Sequence, residues 1–218
     1  TIIMAANADT AEIFLDDGDI TVASMAKAST TAMVLTVTNV PTNAGGVLDI
    51  DGNITAATAA LTIKTDNNAS TIKVGGNVTE NIVAIKFQLD TTATLEFDGT
   101  TKNIDGIIDG IADAEGTLSL NGITEIDEAV GGQNHLLNIT VATGKTGDFN
   151  AAVNSVGLTT VGTGSLNFDA AVGIDTITNN GTITVASTID NEAADGDAAM
   201  VMNSSTSVLN FNGSSALA

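Results

Sequence analysis

The chain has 218 residues and a formal net charge of −20, because 26 Asp and Glu residues outnumber six Lys, and Arg is absent. This charge excludes nucleic-acid binding and docking on an anionic membrane surface, since both depend on clustered basic residues. The absence of Cys excludes disulfides, zinc–thiolate sites and thiol nucleophiles.

The apolar residues indicate an all-β protein. They make up 43% of the chain, but aromatic residues only 3%, and an abundance of Val, Ile and Thr suits pleated, closely stacked strands. No apolar run approaches the roughly 18 residues of a membrane span, so direct membrane insertion is not expected. The chain starts at Thr1 without an initiator Met or signal peptide, which is typical of a processed or excised segment.

The N-terminal region combines turn signals with short strands. Residues 16–19, DDGD, predict a turn. The Ile-Thr-Val-Ala strand that follows at 20–23 recurs at 139–142 and 183–186. Residues 22–32 are compatible with a helical turn, whereas residues 31–40, TAMVLTVTNV, predict a strand.

Two further phrases recur along the chain. In the first, two apolar residues at i and i+2 precede Asp or Asn and a small residue, which predicts a strand and its stop signal. In the second, Gly-x-[Ile/Val]-Thr, a turn residue opens a β-branched strand. The first phrase occurs at 47–52, 94–99, 117–122, 165–170 and 208–213, and the second starts at Gly18, Gly52, Gly76 and Gly181.

The segments between these phrases are strands or loops. Residues 81–90, NIVAIKFQLD, predict a long strand. Residues 103–116 place isoleucines at helical spacing, but two interior glycines disfavour a helix, so a turn–strand–turn is expected. Residues 141–148 and 191–199 are candidate surface loops.

The spacing of a looser phrase, Leu-x-[Ile/Phe/Leu], predicts stacked coils. Successive phrases are 23 residues apart from Leu95 to Leu118, 19 from Leu118 to Leu137 and 29 from Leu137 to Leu166. Units of this size are too small to bury an apolar face alone, so they stack on one another. A β-sandwich or jelly roll is the alternative, because residues 31–40 and 81–90 are longer than a solenoid coil needs.

The phrases resemble the passenger regions of bacterial autotransporter surface proteins, especially the rickettsial outer-membrane surface-layer antigens. The likeness is clearest at 94–122 and 164–188 and extends over roughly residues 45–215. It implies a right-handed parallel β-helix, which is the fold that we expect, and a role in a surface coat or in adhesion. The chain departs from the full family pattern because no C-terminal membrane barrel follows these repeats.

Oxygen-rich turns are candidate calcium sites. They offer the hard ligands that Ca²⁺ prefers, and repulsion between stacked carboxylates favours a bound cation. Neither the EF-hand order nor the GGxGxD repeat is present, and solvated turns are the alternative. The candidate ligands are Asp16, Asp17, Asp19, Asp49, Asp51, Asp195 and Asp197.

Residues typical of catalysis are sparse. Enzymes of this architecture that cut polysaccharides need clustered carboxylates, a basic residue and aromatic platforms, yet the chain has no Arg, Trp or Tyr. His135, the only histidine, is expected in a loop beside a strand at 136–141. We therefore predict that the chain is not an enzyme, has no cofactor other than a candidate calcium, and has no catalytic residues.

These observations favour a non-catalytic, extracellular structural protein of the bacterial cell surface. It is expected to form one β-rich domain over 1–218, or a fragment of a larger surface protein, and to associate with copies of itself or with a host or neighbouring cell. A β-sandwich subunit of an extracellular filament, linked by strand donation, is the second candidate. A polysaccharide-acting β-helix enzyme or phage spike is the third.

Overall fold

The structure is a computed structural model that describes residues 2–4, 10–15, 18–28, 30–38, 45–56, 59–66, 70–80, 84–100, 102–190, 199–212 and 216–217. Every regular element within these ranges is a β-strand. The described residues therefore include no helix that is long and apolar enough to cross a membrane.

The strands stack in parallel on three faces of a right-handed solenoid. The first face contains β1 (Ile2–Met4), β4 (Met25–Lys27), β7 (Ile54–Ala56), β10 (Val78–Glu80), β13 (Lys102–Ile104), β16 (Ile123–Ile126), β18 (Thr146–Phe149), β20 (Ser165–Phe168), β22 (Thr182–Val185) and β25 (Val208–Phe211). The second contains β3 (Ile20–Val22), β6 (Gly46–Ile50), β9 (Ser70–Val74), β12 (Thr94–Phe97), β15 (Glu115–Leu120), β17 (Leu136–Val141), β19 (Val153–Thr160), β21 (Val172–Asn179) and β24 (Ala199–Met202).

In the N-terminal coils, the third face consists of separate strands. In later coils, it is formed by the first residues of longer strands. Its separate strands are β2 (Thr10–Phe14), β5 (Met33–Thr38), β8 (Leu61–Asp66), β11 (Ile85–Leu89) and β14 (Ile107–Gly110). Val130 then bridges Ile108 and Val153. Val153 pairs with Val172 at the starts of β19 and β21, and Val172 pairs with Ile189 in β23 (Thr188–Asp190), which pairs with β26 (Ala216–Leu217). In β19 and β21, one continuous strand therefore replaces the corner between the third and second faces.

Alternation of side chains explains why these segments form half-buried strands. In β8, every second residue from Leu61 onward is buried and the others are half-buried. Residues in register in neighbouring coils share this pattern, so that the buried side chains form continuous apolar columns. One hydrophobic cluster extends from Leu15 to Ile189. Phe149 and Phe168 stack in register within it, with centroids 5.1 Å apart.

A glycine corner allows the coils to approach closely. Gly52 and Gly76 precede the first-face strands β7 and β10, as the recurring Gly-x-[Ile/Val]-Thr phrase predicts. A Cβ atom at Gly76 would lie 2.2 Å from the carbonyl carbon of Gly52, which is well inside van der Waals contact. The glycine is therefore required by the contact between coils.

The parallel pairing confirms the β-helix and rules out the β-sandwich alternative, whose sheets are antiparallel. Segment 103–116 contains β13, a turn, β14 and a further turn before β15, as expected. The helical turn considered for 22–32 is wrong, because Met25–Lys27 is a strand whose Met25 side chain faces the core. The loop expected at 141–148 is shorter, since β17 ends at Val141 and β18 starts at Thr146.

The recurring phrases do not occupy one face, as their spacing alone would imply. Leu118 pairs with Ile139 rather than with Leu137, because Ile139 is buried whereas Leu137 is 41% exposed. Leu166 lies on the first face, in β20. The coil length also varies: paired residues are 24 positions apart at Leu61 and Ile85 but 19 apart at Val153 and Val172.

Candidate functional site

The three predicted calcium ligands that the structure describes, Asp19, Asp49 and Asp51, do not form a group of carboxylates that could hold a metal ion. Four of the predicted ligands lie outside the described residues: Asp16, Asp17, Asp195 and Asp197. Residues 191–198 of the candidate loop 191–199 lie outside them as well. Asp19 and Asp51 are exposed beside second-face strands, and Asp49 is half-buried within β6.

Asp49 instead belongs to a row of charges on the outer surface of the second face. Lys73 Nζ lies 3.0 Å from Asp98 Oδ2 and 3.9 Å from Asp49 Oδ2. The hydrogen bond from Lys73 lowers the pKa of the Asp98 carboxyl, and the same hydrogen bond raises the pKa of Lys73. This row is a solvated ion-pair network between coils.

A different group of carboxylates meets at the end of the first-face strands. Oxygen atoms of Glu80, Asp105 and Glu128 all lie within 4.8 Å of one another, and each residue is half-buried. These residues are contributed by three successive coils, because Val78, Ile104 and Ile126 are in register. Three carboxylates at this separation offer the hard oxygen donors that suit a divalent cation.

Burial and neighbouring charges both disfavour the ionised form of Glu80. Burial raises the pKa of its carboxyl, and the negative charges of Asp105 and Glu128 raise it further. The Ile85 backbone N–H donates to Glu80 Oε1, which acts in the opposite direction. The carboxylate therefore destabilises the folded state at neutral pH, relative to a neutral group of the same shape.

A second acidic group lies on the outer surface of the next coils. Burial raises the pKa of the Asp148 carboxyl, and the charges of Asp169, Glu125 and Asp127 add to that shift. The Asn150 side-chain amide donates to Glu125 Oε1 at 3.0 Å and to Asp127 Oδ1 at 2.6 Å. The amide thus relieves part of the repulsion without contributing a positive charge.

One ion pair is buried on the third face. Asp109 is 0% exposed, and Lys86 Nζ lies 2.8 Å from its Oδ2. The Gln133 backbone N–H donates to Asp109 Oδ1 at 3.0 Å, and Lys86 donates to Gln133 Oε1 at 2.6 Å. These contacts hold the loop before β17 against the solenoid, which is a structural role.

His135 lies in that loop, immediately before β17, where the sequence places it. Its Nδ1 is 3.2 Å from Asp113 Oδ1, and its backbone N–H donates to the same oxygen at 2.9 Å. Asp113 is 70% exposed in its side chain. The contact joins two neighbouring turns at the surface.

Sequence reasoning missed the Glu80, Asp105 and Glu128 group because no single segment contains it. The only local signal is that each acid follows an apolar strand residue by one or two positions. Compared with models of protein families, with curated proteins and with solved structures, the chain matches none.

Proposed function

We propose that the chain is a non-catalytic structural protein of the bacterial cell surface, of the surface-layer or autotransporter-passenger type. The observation that carries the proposal is the uninterrupted stacking of coils around one apolar cluster from Leu15 to Ile189. The ten first-face strands are separated by nine spacings of about 4.8 Å, which gives a rod about 43 Å long. A rigid rod of repeated coils is suited to a scaffold role, since its length and stiffness follow from the repeat.

The distribution of charge supports an exposed location for this rod. The net charge is −20, and among the described residues carboxylates gather in two acidic groups on the first face. Such a charge keeps an elongated apolar repeat soluble and limits lateral aggregation. The phrase-level resemblance to surface-layer and autotransporter proteins is consistent with this role.

Localisation tests the proposal directly. Immuno-electron microscopy of cells that produce the chain should label the outer cell surface, and brief protease treatment of intact cells should remove the label. A cytoplasmic marker protein, probed in the same cells, controls for lysis. Label confined to the cytoplasm would refute the proposal.

A filament subunit is the second candidate, and exposed apolar side chains on β24 and β25 favour it. Val201, Met202, Val208 and Phe211 in β24 and β25 are 37–49% exposed, and residues 199–212 carry no charge. Uncharged edge strands add further strands readily. We expect Val201→Lys to abolish any polymers seen by negative-stain microscopy, whereas polymers that persist in this variant would exclude this edge as the contact.

A further inference from the structure

A polar groove crosses the outer surface of the third face near β2. It has a volume of about 410 Å³ and is lined by Thr10, Ala11, Glu12, Thr36, Lys64 and Asp66. Glu12 pairs with Thr36, and Thr36 pairs with Lys64, so these residues form a row across three adjacent strands. The row spans about 10 Å. The groove is thus large enough for a small polar ligand.

The groove presents donors and acceptors that are only partly satisfied within the protein. Thr38 Oγ1 donates to Glu12 Oε1 at 2.8 Å, which orients the carboxylate beside the row. Lys64 forms no salt bridge with any residue that the structure describes. An ammonium group and two carboxylates, those of Glu12 and Asp66, therefore line one shallow site together with threonine hydroxyls.

An exposed aromatic residue lies on β2, the strand that contributes Thr10, Ala11 and Glu12 to this groove. Phe14 is 57% exposed and lies two residues after Glu12 on the same outward side of β2. Four of the six phenylalanines are instead buried in the core: Phe87, Phe97, Phe149 and Phe168. An aromatic ring beside polar groups is the combination that binds a sugar, whose ring has an apolar face and a rim of hydroxyls.

We propose that this groove binds a neutral oligosaccharide. Sugar hydroxyls can donate to Glu12 and Asp66 and accept from Lys64, so one ligand satisfies groups of both charges. The net charge of −20 disfavours an acidic polysaccharide. An apolar ligand would bury the charged groups without partners, which is costly. The proposal goes beyond the scaffold role, which requires no ligand.

Affinity electrophoresis of the full chain tests this proposal. The net charge of −20 drives the protein through a native gel, and soluble neutral glucan, mannan, galactan or N-acetylglucosamine oligomers conjugated to the gel supply the probe. We expect at least one neutral probe to slow the protein relative to a probe-free gel, and polygalacturonate not to slow it. Mobility unchanged by every neutral probe would overturn the proposal.

Matched variants locate the binding. Phe14→Ala and Lys64→Gln should each weaken retardation by about tenfold in affinity, since each removes a principal contact. Phe211→Ala, which truncates another exposed phenylalanine, and Lys145→Gln, which removes the same charge elsewhere, should be retarded like the parent chain. Melting curves verify that each variant is folded. Retardation that Phe14→Ala and Lys64→Gln both retain in full would also overturn the proposal.

Discussion

At the scale of single residues, one backbone position carries strain. Ala114 has a φ of 59°, and among the described residues it is the only non-glycine residue with a positive φ. This conformation costs an alanine about 1–2 kcal/mol, whereas glycine adopts it freely. We expect Ala114→Gly to raise the free energy of unfolding by about 0.5–1 kcal/mol, as measured by urea denaturation.

Ala112→Gly is the matched control for that change. Ala112 lies in the same turn but has no positive φ. A glycine there only adds conformational freedom to the unfolded chain, so the variant should lower the free energy of unfolding by about 0.5–1 kcal/mol. If both variants were destabilised equally, the strain assigned to Ala114 would be absent.

The acidic group at Glu80 predicts an unusual pH dependence. The raised pKa of Glu80 in the folded state means that its ionisation opposes folding. This penalty is present at neutral pH and is relieved as the pH falls through the folded-state pKa toward the ordinary value of 4.5. We therefore expect Glu80→Gln, which retains an acceptor for the Ile85 N–H, to melt at a higher temperature than the parent chain at pH 7.

The advantage of Glu80→Gln should shrink as the pH is lowered, because Glu80 itself becomes protonated. Glu96→Gln removes the same charge from the second face, beside Lys73, and should give no stabilisation. An advantage of Glu80→Gln that stays constant between pH 7 and pH 4.5 would show that ionisation of Glu80 is not its source.

At the scale of strands and corners, close contact between coils sets the tolerance to substitution. A Cβ atom at Gly76 would meet the backbone of Gly52, which cannot move without shifting a whole coil. Gly76→Ala should cost about 1–3 kcal/mol, the usual penalty for overpacking. At Gly132 the nearest atom to an added Cβ is 3.4 Å away, so Gly132→Ala should be neutral or slightly stabilising. Equal melting temperatures for the two variants would contradict the corner contact.

The sequence predicts the inward residues of a strand better than the register between strands. Leu118 and Leu120 in TLSLNG alternate as a strand requires, and both are buried. The same alternation occurs on every face, however, so Leu118 could not be matched with Ile139 from the pattern alone. The Ile-Thr-Val-Ala segments illustrate this, since two lie on the second face and one on the first.

The acidic group could not be predicted for the same reason. Glu80, Asp105 and Glu128 meet only because turns of different length bring three coils into one register. Turn lengths depend on how each loop packs, which local spacing does not encode. The predicted ligand Asp49, by contrast, alternates with core residues inside a strand and is paired with Lys73.

At the scale of the whole molecule, self-repulsion limits stability. A net charge of −20 on a chain of this size opposes compaction. Raising the ionic strength from about 0.01 M to about 0.15 M shortens the Debye length from about 30 Å to about 8 Å. We expect the melting temperature to rise by about 3 °C in NaCl, equivalent to about 1 kcal/mol.

Calcium should stabilise the protein by more than ionic screening does, because it can bind to the grouped carboxylates. At matched ionic strength, CaCl₂ is expected to raise the melting temperature above the value in NaCl, and a chelator should remove the difference. Equal melting temperatures in the two salts would leave screening as the whole effect and would contradict specific cation binding.

The ordered stacking of coils underlies every conclusion about this molecule, and spin-label distances test it most directly. Thr21, Lys73, Glu96 and Thr178 belong to one outward column on the second face, linked by in-register pairs. The chain has no Cys, so the spin labels attach only to the introduced pair of cysteines. Distances from Thr178 should be about 19 Å to Glu96, about 24 Å to Lys73 and about 34 Å to Thr21, one strand spacing per coil. Distances that do not lengthen in this order would contradict the solenoid.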